Sequence, residues 1–173
     1  MKEEINKNWL FKWSFKGKEI LYNENNKLFF NHLKDSEWFE YIWCNIDKEV
    51  VKPYLYDLQE YLGREEYNIY INNQINRDLN EYHTTLIGPA ELKKLWFIPN
   101  INTDIYIKDI KILWLWTCNK EWNTAYFIVV KSDLLNQQRK NLWLEYKDFH
   151  ITLWFNKEDV FWIPKDETSL LKK

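Results

Sequence analysis

Apolar residues recur along this chain at two spacings, one typical of strands and one typical of helices. Apolar residues at helical spacing between Val51 and Leu62 predict a helix over residues 48–62, with Gly63 at the position of a C-terminal cap. Short runs with strand character predict β-strands in a larger set of segments. These segments are 9–15, 19–22, 27–30, 67–71, 82–88 with its turn, 112–118, 123–131 and 147–155.

Two further helices are predicted from their start signals. Pro89 follows the strand-like segment YHTTLIG, and proline is favoured at the first position of a helix. Ser132 precedes leucines at helical spacing and is a candidate N-cap. The resulting order is strand–helix–strand followed by strand–helix–strand. It predicts an α+β domain with a hint of internal duplication.

The composition fits one globular domain over residues 1–173 and excludes several other classes. Hydrophobic residues make up 46% and aromatic residues 18%, which excludes a disordered chain. The net charge of −2 argues against a protein that binds duplex DNA. Two distant cysteines give neither a disulfide framework nor a zinc knuckle, and no apolar run is long enough for a membrane span. We therefore expect a cytoplasmic protein that does not associate with membranes; its oligomeric state stays open.

Two of the three histidines begin the same four-residue pattern, H-x-T-L. The two copies are His83-Thr84-Thr85-Leu86 and His150-Ile151-Thr152-Leu153. On a strand, residues two apart share a face, so each motif presents an imidazole and a hydroxyl side by side. Two such pairs facing each other would enclose a site of about the size of a phosphate group.

These residue types suit acid–base chemistry on a phosphodiester. One imidazole can accept a proton from the attacking water while the other protonates the leaving oxygen. Threonine hydroxyls can donate hydrogen bonds to the non-bridging oxygens as their negative charge increases. The sequence contains no paired-aspartate or Cys/His cluster with the spacing of metal ligands. We therefore predict His83, His150, Thr85 and Thr152 as catalytic residues that work without a metal or another cofactor.

The paired motifs, 67 residues apart, resemble those of the two-histidine (2H) phosphoesterase superfamily. The segment YFIVVKSDLLNQQRKNLWLEYKDFHITLWFNKEDVFWIPKD resembles its Swiss Army Knife RNA-repair-like branch, and the similarity covers residues 67–166. The resemblance implies a bilobal fold in which two mainly antiparallel sheets surround a cleft, with helices outside. Residues 1–65 have no counterpart and are predicted to form an N-terminal extension or lobe of unknown role.

The resemblance also implies a function. It indicates a metal-independent phosphodiesterase whose substrate is RNA or a nucleotide, either a 2′,3′-cyclic phosphate at an RNA end or a related cyclic nucleotide. Two alternatives stay open. One is hydrolysis of cyclic oligonucleotide second messengers, as viral members of the superfamily imply. The other is a non-catalytic RNA-binding module.

Four residues outside the motifs complete the prediction. Strand alternation places Trp154 on the face of Thr152, where it would stack on a base, although the related branch tends to have glycine there. Arg139 is a candidate phosphate ligand, with a solvated position on its helix as the alternative. Phe161 stands where the branch often has histidine. His32 has no H-x-T context and is expected to be structural or solvent-facing.

Overall fold

A computed structural model describes residues 26–34, 39–101, 104–160 and 163–166 of the chain. The predicted strands at 9–15 and 19–22, and Phe161, lie outside these ranges. The strands are β1 (Phe29–Lys34), β2 (Glu40–Ile46), β3 (Tyr82–Ile87), β4 (Lys111–Lys120), β5 (Asn123–Lys131) and β6 (Phe149–Phe155). The helices are α1 (Lys48–Leu62), α2 (Arg64–Asp78), α3 (Pro89–Leu95) and α4 (Asp133–Asn141), and a 3-10 turn covers Ile107–Asp109.

The six strands form one antiparallel sheet in the order β1-β2-β3-β6-β5-β4. Each half of the chain supplies two strands, a helical connection and a third strand. The connection consists of α1 and α2 in the first half and of α4 in the second, and the third strands, β3 and β6, pair at the centre. The α+β class is therefore confirmed, and the duplication suggested by the sequence is present in the topology. Side-by-side pairing at the centre brings the two H-x-T-L motifs onto neighbouring strands.

The arrangement of the sheet differs from the bilobal form that the resemblance implied. All six described strands belong to a single sheet rather than to two sheets around a cleft. Its two halves meet where Thr84 of β3 pairs with Ile151 of β6. The described part of residues 1–65 supplies β1, β2 and α1, so it continues the same sheet and its helical layer.

One predicted strand is wrong. Residues 67–71 lie inside α2, which runs from Arg64 to Asp78. The same segment also fits helical spacing, because Tyr70, Ile71 and Gln74 lie three, four and seven residues after Tyr67, on one face of a helix. Tyr70 and Gln74 are buried, while Tyr67 and Ile71 pack against the main core. Five residues were too few to distinguish the two periods.

The main core lies between the sheet and its helices, and a smaller core lies on the opposite face. The main core contains Val51, Leu55 and Leu58 of α1 together with inward residues of the sheet, such as Ile128 and Ile151. The smaller core consists of Cys118, Ala125, Phe127, Val129, Phe155 and Val160. It lies beside the central strands on the face that carries the motif histidines. None of the described helices is both long and apolar enough to cross a membrane.

Arg139 is neither solvated nor available to a phosphate, which corrects both sequence interpretations. Its side chain is 1% exposed and donates hydrogen bonds to the carbonyl oxygens of Leu86 (2.7 Å) and Glu145 (2.8 Å). The guanidinium also forms an ion pair with Glu91, with a shortest distance of 2.5 Å. Arg139 therefore connects α4 to α3 and to the end of β3, directly after the first motif.

We expect Arg139→Met to lower the free energy of unfolding by about 3 kcal/mol, because it removes one partner of a largely buried ion pair and the buried hydrogen bond to the Leu86 carbonyl. Urea denaturation measures this change. Lys140→Met is the matched control, since Lys140 is exposed on the same helix. Equal stabilities of the two variants would show that the Arg139 network contributes nothing to folding.

Candidate active site

The two H-x-T-L motifs lie next to each other on the central strands. Thr84 pairs with Ile151, and both side chains point into the main core. Because the strands are antiparallel, His83 lies opposite Thr152 and Thr85 lies opposite His150, all on the other face. Directly opposite residues have Cβ atoms roughly 5 Å apart, and diagonal neighbours are roughly 7–8 Å apart. The structure thus brings the four predicted catalytic side chains together in one cluster.

Each motif ends in a β-bulge at its leucine. The pairing of β2 with β3 shifts by one residue at Leu86, and the pairing of β5 with β6 shifts by one residue at Leu153. A bulge inserts an extra residue and interrupts the alternation of side chains between the two faces. As a result, Leu86 and Ile87 both pack in the main core, as do Leu153 and Trp154.

This bulge overturns the predicted position of Trp154. Strict alternation would have placed its ring beside Thr152, but the extra residue at Leu153 directs the ring into the opposite face. Trp154 is 0% exposed and makes an edge-to-face contact with Tyr67, with ring centroids 4.7 Å apart. It is a core residue in this structure and does not line the candidate site.

An aromatic ring from a neighbouring strand contacts each motif histidine. Trp43 of β2 pairs with Thr85, and its ring centroid lies 3.9 Å from that of His83. Phe127 of β5 pairs with Thr152, and its ring centroid lies 6.1 Å from that of His150. Sequence reasoning missed both rings. Strand alternation was a usable signal for Trp43, because its neighbours Ile42 and Cys44 lie in the main core and Trp43 therefore faces the other side of β2.

A cluster of charged side chains surrounds Thr152. The Asp159 carboxylate forms ion pairs with Lys165 (2.6 Å) and Arg77 (2.8 Å) and accepts a hydrogen bond from the Thr152 hydroxyl (3.3 Å). Lys165 also donates to the Thr152 Oγ1 atom at 3.5 Å, and Arg77 pairs with Asp78. Burial raises the pKa of Asp159, but the charges of Lys165 and Arg77 outweigh this effect and hold it below its usual value.

Sequence reasoning did not identify this charged cluster. Asp159 lies within the segment that resembles the Swiss Army Knife branch, so its position after the second motif was a usable signal. Arg77 and Lys165 carry no motif. They reach Asp159 only because the end of α2 and the C-terminal segment meet beside β6 in the folded chain.

Both motif histidines are neutral at pH 7 in the folded protein. Burial, together with the charge of Arg77, lowers the pKa of His83 to about 4, although Asp78 and Asp159 oppose the shift. Burial, followed by the charge of Lys165, lowers the pKa of His150 to about 3, and Asp159 opposes this. Both side chains are only partly exposed. A neutral imidazole can accept a proton, so either histidine can begin a reaction as the base.

These shifts predict that the protein loses stability as the pH falls. The unfolded histidines take up protons below about pH 6.5, while the folded ones stay neutral until about pH 4 or 3. Between pH 7 and 5 each histidine should therefore lower the free energy of unfolding by up to about 2 kcal/mol. Urea denaturation at each pH measures the slope. His150→Gln should reduce this slope, because glutamine does not titrate; a slope equal to that of the wild type would contradict the prediction.

His32, the third histidine, lies away from this cluster. It is exposed on β1, and its Nε2 atom lies 3.4 Å from the Glu40 carboxylate, as the solvent-facing prediction anticipated. Among the described residues, no three His, Cys, Asp or Glu side chains are grouped in a way that could hold a metal ion.

Of the comparisons with known proteins, the one with family models found a match. The family model described as "Swiss Army Knife, 2H phosphoesterase domain" matches residues 49–161, which include both motifs, all of β3 to β6 and the charged residue Asp159. No curated protein and no solved structure shows significant similarity to the chain. The family match covers well over half of the 173 residues. The chain therefore belongs to the Swiss Army Knife family of 2H phosphoesterase domains.

Proposed function

We propose that this protein is a phosphodiesterase in which His83 and His150 act as general base and general acid. The observation that carries the proposal is the pairing of β3 with β6, which places two imidazoles and two threonine hydroxyls on one face of the sheet. The phosphorus atom of the substrate would lie between the two histidines. The family membership supports a phosphoester substrate in general, and the geometry of the site supports the residue roles.

Hydrolysis in this site needs one proton transfer at each side of the phosphorus. One neutral imidazole removes a proton from water, and the water oxygen forms a bond to phosphorus. The bond from phosphorus to the leaving oxygen breaks, and the other histidine, protonated in the complex, gives its proton to that oxygen. The two histidines end with their protonation states exchanged, and solvent restores them. The diagonal spacing of roughly 7–8 Å leaves room for a phosphate group between them.

The threonine hydroxyls stabilise the charge that develops during this step. Thr85 and Thr152 each flank a histidine and donate to the non-bridging oxygens of the phosphate. In the free protein the Thr152 hydroxyl donates to Asp159 at 3.3 Å, a long hydrogen bond that a phosphate oxygen can replace. Thr152 would therefore change its hydrogen-bond partner when the substrate binds.

As substrates we propose 2′,3′-cyclic phosphates at RNA ends and related cyclic nucleotides. Such diesters fit a small site with an acid and a base on opposite sides of one phosphate, and their hydrolysis gives a phosphomonoester. The test is a screen of the purified protein in excess EDTA against 2′,3′-cyclic, 2′-5′-linked and 3′-5′ cyclic oligonucleotide substrates. Preference for the cyclic oligonucleotides would favour hydrolysis of second messengers, and binding of RNA without turnover of any substrate would favour a binding module.

We expect His83→Ala and His150→Ala each to abolish most of the turnover, and the double variant to lose little more, because the acid and the base act as a unit. Thr85→Val should lose about 2–4 kcal/mol of transition-state stabilisation. Steady-state rates on the preferred substrate in EDTA measure these losses. The control is His32→Ala, which should keep full activity.

Two results would contradict the proposed roles. The first is additive losses from the two histidine variants, because independent groups do not share one proton-transfer cycle. The second is activity that disappears in EDTA and returns with magnesium or manganese, because the proposed mechanism uses only side chains of the chain.

The lowered histidine pKa values predict a pH profile that differs between kcat/KM and kcat. In the proposed mechanism, the active form of the free protein carries one proton on the histidine pair, since one histidine acts as base and the other as acid. Above about pH 4, the fraction of the protein in this form decreases tenfold per pH unit. We therefore expect kcat/KM to fall with a slope near −1 between pH 5 and 8. The bound phosphate anion favours the protonated imidazole, so kcat should decline only at higher pH. A kcat/KM that is constant or rises over this range would contradict this assignment.

A further inference from the structure

Lys165 is a buried cation beside the motif threonine of β6. It belongs to the described segment 163–166, and its side chain is 5% exposed. Its Nζ atom lies 3.5 Å from the Thr152 Oγ1 atom, and 5.8 Å from the centroid of the Phe127 ring. The family match ends at residue 161, so the match does not include this lysine.

Among the described residues, the ammonium group of Lys165 has two hydrogen-bond partners, Asp159 and Thr152. An ammonium has three N–H donors and no acceptor. One of them makes a short contact, 2.6 Å to the Asp159 Oδ1 atom, whereas the contact with Thr152 is at the long limit of a hydrogen bond. An oxygen atom placed next to Thr152 would therefore offer Lys165 a stronger acceptor than the hydroxyl does.

Asp159 does not depend on Lys165 alone to satisfy its charge. Its Oδ2 atom accepts hydrogen bonds from Arg77 (2.8 Å) and Thr152, and its Oδ1 atom also accepts from the backbone N–H of Val160 (2.8 Å). Arg77 fixes the carboxylate from the side of α2. Asp159 therefore holds the lysine in place without consuming its whole donor capacity.

Lys165 also lies close enough to His150 to act on its charge. After burial, the positive charge of Lys165 is the largest cause that lowers the pKa of His150. A cation that disfavours a protonated neighbour in the free protein favours an anion in the same space. The geometry around Thr152 and the field at His150 therefore indicate the same kind of ligand, a phosphate oxygen.

We propose that Lys165 is a substrate-binding residue whose ammonium group binds a non-bridging oxygen of the phosphodiester beside the Thr152 hydroxyl. The inference rests on the proposed function and adds to it the cation that the four motif residues lack. The negative charge on the non-bridging oxygens increases in the transition state. A fixed, buried cation stabilises this charge more strongly than water does. Asp159 and Arg77 are positioning residues for this lysine.

The test measures binding of inorganic phosphate at the histidines. NMR signals of the His83 and His150 imidazoles are followed during phosphate titrations of the wild type, Lys165→Met, Lys165→Arg and Lys157→Met. Lys157 is the matched control, because it is an exposed lysine that also follows β6 in the chain. We expect Lys165→Met to raise the dissociation constant about tenfold or more, as loss of a charge-assisted hydrogen bond implies. Lys165→Arg should keep most of the affinity, and Lys157→Met should equal the wild type.

A second measurement needs no substitution and so does not depend on the folding of a variant. In wild-type protein with ¹⁵N-labelled lysine, the Nζ signal of Lys165 should shift on addition of phosphate, with the same dissociation constant as the histidine signals. A Lys165 signal that does not respond while both histidines do would overturn the proposal.

The outcomes separate this inference from the proposed function. Equal phosphate affinity of the wild type and Lys165→Met, with both histidines responding, would exclude Lys165 as a ligand and leave the histidine mechanism intact. Phosphate that shifts neither histidine signal in the wild type would remove the anion site itself. In that case the proposed function and the role of Lys165 would fail together.

Discussion

The pairing of β3 with β6 is the contact on which the candidate site depends. It joins the two halves of the sheet through the Thr84–Ile151 register and fixes which residues of the two motifs are neighbours. A shift of this register by one residue would turn one histidine into the core. The β-bulges that follow at Leu86 and Leu153 direct additional apolar residues into the core, which strengthens the side of the strands opposite the histidines.

The site combines two partly buried histidines with a cluster of ion pairs that is itself largely buried. His83 and His150 are held neutral mainly because the protein removes them from water, and not because an acidic or basic partner dominates. Beside Thr152, Asp159 forms ion pairs with Lys165 and Arg77, and Arg77 forms a second ion pair with Asp78. An incoming phosphodiester therefore meets neutral imidazoles, which can accept protons, and a cation that is already oriented. These are the conditions under which fixed dipoles and charges contribute most to a transition state.

The two halves of the sheet repeat the same local design but differ in their surroundings. In both halves an aromatic residue of the middle strand pairs with the motif threonine and contacts the motif histidine, namely Trp43 in one half and Phe127 in the other. The charged residues Asp159 and Lys165 come only from the chain that follows β6. The second half also carries the smaller core on its site face. This asymmetry gives His83 and His150 different charged surroundings.

The sequence alone determined the parts of this protein that local pattern controls. The duplicated H-x-T-L motif identified the four clustered side chains, and periodicity with cap signals located α1, α3 and α4, because strand alternation, helical spacing and capping act over a few residues. Only the tertiary structure decided the rest. Trp154 turned into the core because a bulge depends on the partner strand, and Arg139 became buried because its partners lie on three other segments. Likewise, Arg77 meets Asp159 although 82 residues separate them in the chain, and no local pattern encodes a contact between residues so far apart.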